Sequence, residues 1–187
     1  MNTHMGTLNA VIIALAFPQY KINRSIEFGC GEFSTHLFHD RSRDHTAIDV
    51  LGTSNRDINL SWVDKIEKQY SNSNCFVYSN EHYDVIRNFK GEAIYDLVFV
   101  DAQWLRPELV NEAFRHSETV VAHDTENVDH GYLDVQRPDG WHQISRANLG
   151  DQDPFGAWTT VWTKVDRVYN VLKLLGCIEC AIPRGQA

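Results

Sequence analysis

Cysteine, methionine, proline and basic charge are all scarce in these 187 residues: four Cys, two Met, five Pro, and 17 Lys plus Arg against 25 Asp plus Glu. Each shortage removes a class of answers. The four thiols, Cys30, Cys75, Cys177 and Cys180, are too few and too scattered to staple a small secreted fold. Cys177 and Cys180 form a CxxC with no second CxxC or CxxH to complete a zinc site. They fall in an apolar run, 177–182, that reads as a strand with buried structural thiols. A formal net charge of −8 with no run of Lys or Arg disfavours a nucleic-acid partner, because phosphate-backbone binding draws on a basic face. The apolar stretch 8–17 falls far short of the roughly 20 residues that cross a bilayer. No Lys or Arg precedes it, as a signal peptide requires. No membrane partner is therefore expected, and a cytoplasmic location is.

What is present is an ordinary globular balance, 43% hydrophobic and 22% charged, in a chain of a length that suits one α/β domain. Residues 1–187 are expected to form a single domain in which cofactor and acceptor sites are shared. Leu8, Val11, Ile12 and Leu15 recur at helical spacing and stop before Pro18. A strand at 25–28 runs into Gly29-Cys30-Gly31 and a helix from about Phe33. Further strands are predicted at 46–51, 75–78, 96–101 and 119–122. The intervening helices are placed at 61–70, 83–89 and 107–115, with a polar, turn-rich stretch at 52–59. Asp96–Asp101 is almost wholly apolar between its two aspartates, as a central parallel strand buried on both faces must be. Fivefold alternation of strand and helix points to a Rossmann-like, doubly wound, mostly parallel sheet with helices on both faces. Beyond it, residues 124–155 are polar and aperiodic with a weak strand at 141–144, and read as an acceptor loop that closes over the substrate. A strand at 158–163 and a helix ending at Gly176 complete the chain.

The most informative segment is Ser25-Ile-Glu-Phe-Gly-Cys-Gly-Glu-Phe-Ser-Thr35. Two glycines after a strand allow a tight turn that brings backbone N–H groups and a helix N-terminus against a ligand. The third glycine of the dinucleotide fingerprint is replaced by Ser34, and an acid, Glu27, stands two residues before the first glycine. That exchange suits a ligand with a cationic end better than a pyrophosphate. The segment resembles the first motif of class I S-adenosylmethionine (SAM)-dependent methyltransferases. The resemblance continues at Asp96-Leu-Val-Phe-Val-Asp101 and Val120-Val-Ala-His-Asp-Thr125, in the family's order.

The resemblance implies SAM as cofactor, held by Glu27, Gly29, Cys30, Gly31, Ser34 and Asp101, and methyl transfer to an O or N nucleophile of a small-molecule acceptor. Asp49, about twenty residues past the glycine turn, is the first choice for the ribose hydroxyls, and Asp57 the alternative if the second strand lies in another register. His123 and Asp101 are the candidate catalytic residues, His123 as a general base or else as a hydrogen-bonded core histidine. Asp101 and Asp124 also have the hard oxygen ligands of a divalent metal pair. Metal-dependent relatives place Asn after the second aspartate, whereas Thr125 stands here. Trp104, Tyr132, Trp141, Phe155 and Trp158, with His130 and His142 among them, are expected to pack mostly as core, with some lining the acceptor pocket. Two other functions remain open at this point: a NAD-type dinucleotide-binding oxidoreductase, and a non-catalytic protein on a degenerate methyltransferase fold.

Overall fold

Leu97, Val98, Phe99 and Val100 are buried at every position, and the sheet is built outward from this strand. The computed structural model describes residues 6–31, 34–50, 56–70, 73–78, 94–102, 105–147 and 158–179. In chain order the elements are α1 (Gly6–Ala16), β1 (Ile22–Phe28), α2 (Ser34–Arg41), β2 (Ser42–Val50), α3 (Arg56–Gln69), β3 (Ser73–Tyr78) and β4 (Leu97–Val100). They continue with α4 (Arg106–His116), β5 (Thr119–His123), two short 3₁₀ turns, β6 (His142–Ala147), β7 (Trp158–Thr163) and α5 (Asp166–Leu174). The seven strands form one sheet in the order β3-β2-β1-β4-β5-β7-β6. The first five are parallel, and β7 runs antiparallel to both β5 and β6.

Alternation along β4 divides the core between the two faces, as a strand's period of two requires. Leu97 and Phe99 pack with Leu8, Val11 and Ile12 of α1, Phe38 of α2, and Val168 and Leu172 of α5. Val98 and Val100 pack on the other face with Leu109, Val110 and Ala113 of α4. Each such side chain contributes about 1.5–3 kcal/mol on full burial. Arg167 of α5 donates to the carbonyls of Leu15 and Phe17, satisfying acceptors that the end of α1 leaves open.

Several expectations are corrected. Residues 56–59, read as part of a polar turn, form the first turn of α3, so that helix begins five residues before Ser61. The run 177–182 is no strand where it is described: Ile178 makes one antiparallel bridge with Ser145, through two hydrogen bonds of 2.9 Å, and no more. Of the segment 124–155, residues 124–147 are described. Tyr132 and Trp141 are buried in the core, and β6 extends the sheet by a full strand. Core packing of Tyr132 and Trp141 is as expected, and the weak strand expected at 141–144 is β6, His142–Ala147. The expected helix at 83–89 lies outside the described residues.

Candidate active site

Register fixes the site. Phe28 is paired with Ile48 on one side and Val100 on the other, and Val100 is paired with Ala122. The residues that follow this row are Asp49, Gly29, Asp101 and His123, so four positions singled out from sequence line the carboxyl edge of adjacent strands. That edge is where open α/β sheets bind ligands. Backbone bonds lock the row: Gly29 N–H donates to Ile48 O and Asp101 N–H to Phe28 O, both at 2.8 Å.

The two glycines of the turn differ in what they are needed for. Gly29 has φ +88°, and a Cβ there would collide with the backbone of Asp101 and Ala102. Gly31 does not have a positive φ, and a Cβ on it would meet nothing nearer than Ser34 Oγ at 3.1 Å. Gly29 is thus demanded by the protein's own packing, whereas at Gly31 a side chain would press only on the Ser34 hydroxyl. Thr35 closes the turn by accepting from Gly31 N–H and donating its own N–H to Gly31 O. Ser34 and Thr35 are buried at the start of α2, and Cys30 is half-buried. Burial pushes the Cys30 thiol well up, helped by Glu27 and Asp49. Glu27 is fully buried. One of its oxygens, Oε1, meets His45 Nε2 at 3.2 Å, and Oε2 has no hydrogen-bond partner among the described residues. An orphaned buried carboxylate oxygen beside the glycine turn fits the cationic amino group of SAM. Asp49 is the penultimate residue of β2. Asp57 falls in the first turn of α3, and its side chain lies outside the described residues.

At the other end of the row, His123 Nδ1 lies 2.9 Å from Asp124 Oδ1 and 3.9 Å from Asp101 Oδ1. Burial lowers the His123 pKa, but the hydrogen bond to Asp124 and the two carboxylate charges outweigh it and hold the imidazole above its ordinary value. The same hydrogen bond keeps Asp124 below the usual carboxylate range. Burial raises Asp101, although His123 and Arg106 both pull it down.

Arg106, the first residue of α4, was missed from sequence. Its guanidinium is almost fully buried and donates from Nε to Ala102 O, from Nη1 to His123 O at 2.8 Å, and from Nη2 to Asp101 Oδ1 at 3.3 Å. Tyr132, buried beneath it, also donates to His123 O at 3.1 Å. Only its position before Pro107, shortly after Asp101, hints at this role in the sequence. Leu105, before Arg106, and Asp124, after His123, both adopt left-handed backbone, φ 58° and 54°. Such conformations cost about 1–3 kcal/mol and cluster at functional sites. His130 ties Asp124 in place through a 3.1 Å contact with its carbonyl. Of the other aromatic candidates, Trp141 packs on Phe114, and His142 pairs with Asp166 at the far edge of the sheet. Trp104 and Phe155 lie outside the described residues.

Asp101, His123 and Asp124 bring three donor atoms within 4.8 Å of one another, close enough for a cation. Thr125, in the place of the metal-binding Asn, turns away. It is buried and bonded to Thr160 Oγ1 at 2.8 Å, so it adds no ligand.

No protein-family model matches the chain, and no curated protein matches it by sequence. Solved structures do. An O-methyltransferase of Streptomyces achromogenes involved in tomaymycin synthesis, in complex with SAM, is 17% identical with TM-score 0.62, over 86% of this chain and 80% of that one. The fold is that of the class I methyltransferases. The O-methyltransferase of Bacillus cereus, in complex with SAH, is 12% identical with TM-score 0.61 over the same shares, 86% and 80%. The spermidine synthase of Thermotoga maritima is 14% identical with TM-score 0.56, over 90% of this chain and 61% of that one. The same fold is thus found in a spermidine synthase as well as in O-methyltransferases. No described helix is long and apolar enough to cross a membrane.

Proposed function

We propose that the protein is an enzyme that transfers the methyl group of SAM to a hydroxyl of a small molecule, with donor and acceptor held in one domain. One observation carries this reading: the His123–Asp124 pair stands on the same strand-end row as the glycine turn and Asp49. A base is thereby set beside the cofactor cradle. Bound SAM supplies an electrophilic methyl carbon on a sulfonium. Glu27 and the Gly29–Gly31 turn hold its amino-acid end and Asp49 its ribose. Displacement at carbon needs alignment and exclusion of water more than covalent help, so the protein's task is mainly positioning. Asp124 holds His123 Nδ1 and so orients the imidazole that takes the acceptor's proton as the new C–O bond forms and the S–C bond breaks. Arg106 and Asp101 fix the walls of this corner.

Calorimetry with SAM, SAH and NAD tests the donor site, and tight NAD binding with no response to SAM or SAH would overturn the reading. Turnover with a panel of hydroxylated acceptors tests the reaction. Release of SAH supports methyl transfer, whereas release of 5′-methylthioadenosine would assign aminopropyl transfer instead. A second reading makes Asp101, His123 and Asp124 divalent-metal ligands, favoured by their spacing. Against it, the Arg106 guanidinium and the His123 hydrogen bond already answer both carboxylates. Loss of turnover on chelation, restored by Mg²⁺, would establish the metal reading. The buried thiols of Cys75 and Cys177 suit a reducing compartment, which supports a cytoplasmic location.

A further inference from the structure

We propose that His45 is a positioning residue for the cofactor: it holds one oxygen of Glu27 so that the other is presented to the ammonium of SAM. This rests on the reading above that the glycine turn takes SAM. His45 stands on β2 and is completely buried, stacked on Phe38 at 4.9 Å and met edge-on by His39. Its Nε2 lies 3.2 Å from Glu27 Oε1, and its Nδ1 lies 2.7 Å from Ser25 Oγ, which in turn lies 2.7 Å from Ser42 Oγ. Ser25, Ser42 and Glu27 are as buried as His45.

Hydrogen bookkeeping gives this chain a direction. An ionised carboxylate only accepts, so His45 Nε2 carries the proton that bonds Glu27. In the neutral ring Nδ1 then accepts from Ser25 Oγ–H, and Ser25 accepts from Ser42 Oγ–H. With Glu27 ionised and His45 neutral, all three donors point toward Glu27. Glu27 is kept an acceptor with Oε1 engaged, and Oε2 is the oxygen left over. The carboxylate lies close enough to the turn to raise the Cys30 thiol and the Asp101 carboxyl. A wholly buried acid with one unmet oxygen is costly for a fold that gains nothing from it, since an apolar residue would pack there without that cost. It is accounted for if a ligand's donor completes it.

The test uses the full chain and three ligands: SAH, its decarboxylated form, which keeps the ammonium, and 5′-methylthioadenosine, which has neither charged group. His45→Leu is expected to bind the first two at least tenfold more weakly than wild type and 5′-methylthioadenosine within about twofold. His45→Gln, whose amide can donate to Glu27, is expected to recover most of the loss. Binding of 5′-methylthioadenosine and the melting temperature report whether each variant is folded. Should His45→Leu fail to fold, the Gln variant and Ser25→Ala, which removes the donor to Nδ1, carry the same comparison. Equal weakening for all three ligands would make His45 a structural residue only, and unchanged affinity for all three would also overturn the proposal. Wild-type protein that binds none of the three overturns both this inference and the SAM reading. Wild-type binding with indifferent variants overturns this inference alone.

Discussion

Arg106 Nη1 donates to the carbonyl oxygen of His123 at 2.8 Å, joining the start of α4 to the end of β5. The same side chain also reaches Ala102 O and Asp101, so a single planar fork fixes the ends of two neighbouring strands. Lysine keeps the charge without the fork. Arg106→Lys is therefore expected to lower stability by about 2–4 kcal/mol, since it leaves buried acceptors without donors. Urea unfolding measures this, and a loss below 0.5 kcal/mol, on the scale of neutral surface substitutions, would show the fork to be dispensable.

His123→Ala should reduce the methyl-transfer step by roughly 10²–10⁴-fold, the usual contribution of a general base. SAH affinity should stay near that of wild type, because His123 stands on the acceptor side of the row. Single-turnover kinetics separate the two effects, and an unchanged rate would remove His123 from the mechanism.

The two glycines are expected to fail differently. Gly29→Ala should destabilise the protein, because a positive φ and the Asp101 backbone both oppose a side chain. Gly31→Val should leave the melting temperature within a few degrees of wild type and weaken SAH binding. Thermal melts paired with calorimetry read both, and the reverse pattern would mean that the cradle faces the other way. Asp49→Ala should cost SAH affinity on the order of 1–3 kcal/mol, as loss of a charged hydrogen bond does.

Stability should fall on the acid side through His39. Burial, with help from His45 and His36, lowers its pKa from 6.5 to about 3. Below pH 6.5 the unfolded chain takes up a proton that the native ring refuses. Its contribution to stability is therefore complete above that pH and is lost toward pH 3, at up to about 1.4 kcal/mol per unit. Neither ring nitrogen has a hydrogen-bond partner among the described residues, and the ring stacks on Tyr70 at 4.7 Å. His39→Phe keeps the stacking and removes the titration. It should stabilise the protein at pH 7.5, and its advantage over wild type should widen at pH 5. A constant difference between the two pH values would contradict the assignment.

The sheet and the cofactor cradle were legible because their signals are local. Gly29, Gly31 and Glu27 lie within five residues, and the apolar run at 97–100 can only be a strand covered on both faces. Arg106 was not legible, since its role depends on Ala102, His123 and Tyr132 meeting in space and no short-range pattern encodes that. In the segment after Asp124, composition pointed to core packing of Tyr132 and Trp141, but not to the elements that carry them. Tyr132 and Trp141 reach the core from short 3₁₀ and turn structure, where apolar residues have no regular spacing to betray them. His45 lay just outside the strand expected at 46–51, and only its contact with Glu27 across the sheet sets it apart.

The paired hydrogen bonds between Ser145 and Ile178 bear on how copies of this molecule behave toward one another. β6 is the outermost strand on its side of the sheet, and an uncovered edge is a template onto which a second chain can add a strand. Ile178 occupies the middle of that edge, after Gly176 at φ +80° has ended the last helix and turned the chain back. The residues just beyond α5 thus occupy, at Ser145, two backbone groups that the edge of β6 would otherwise offer to a second strand.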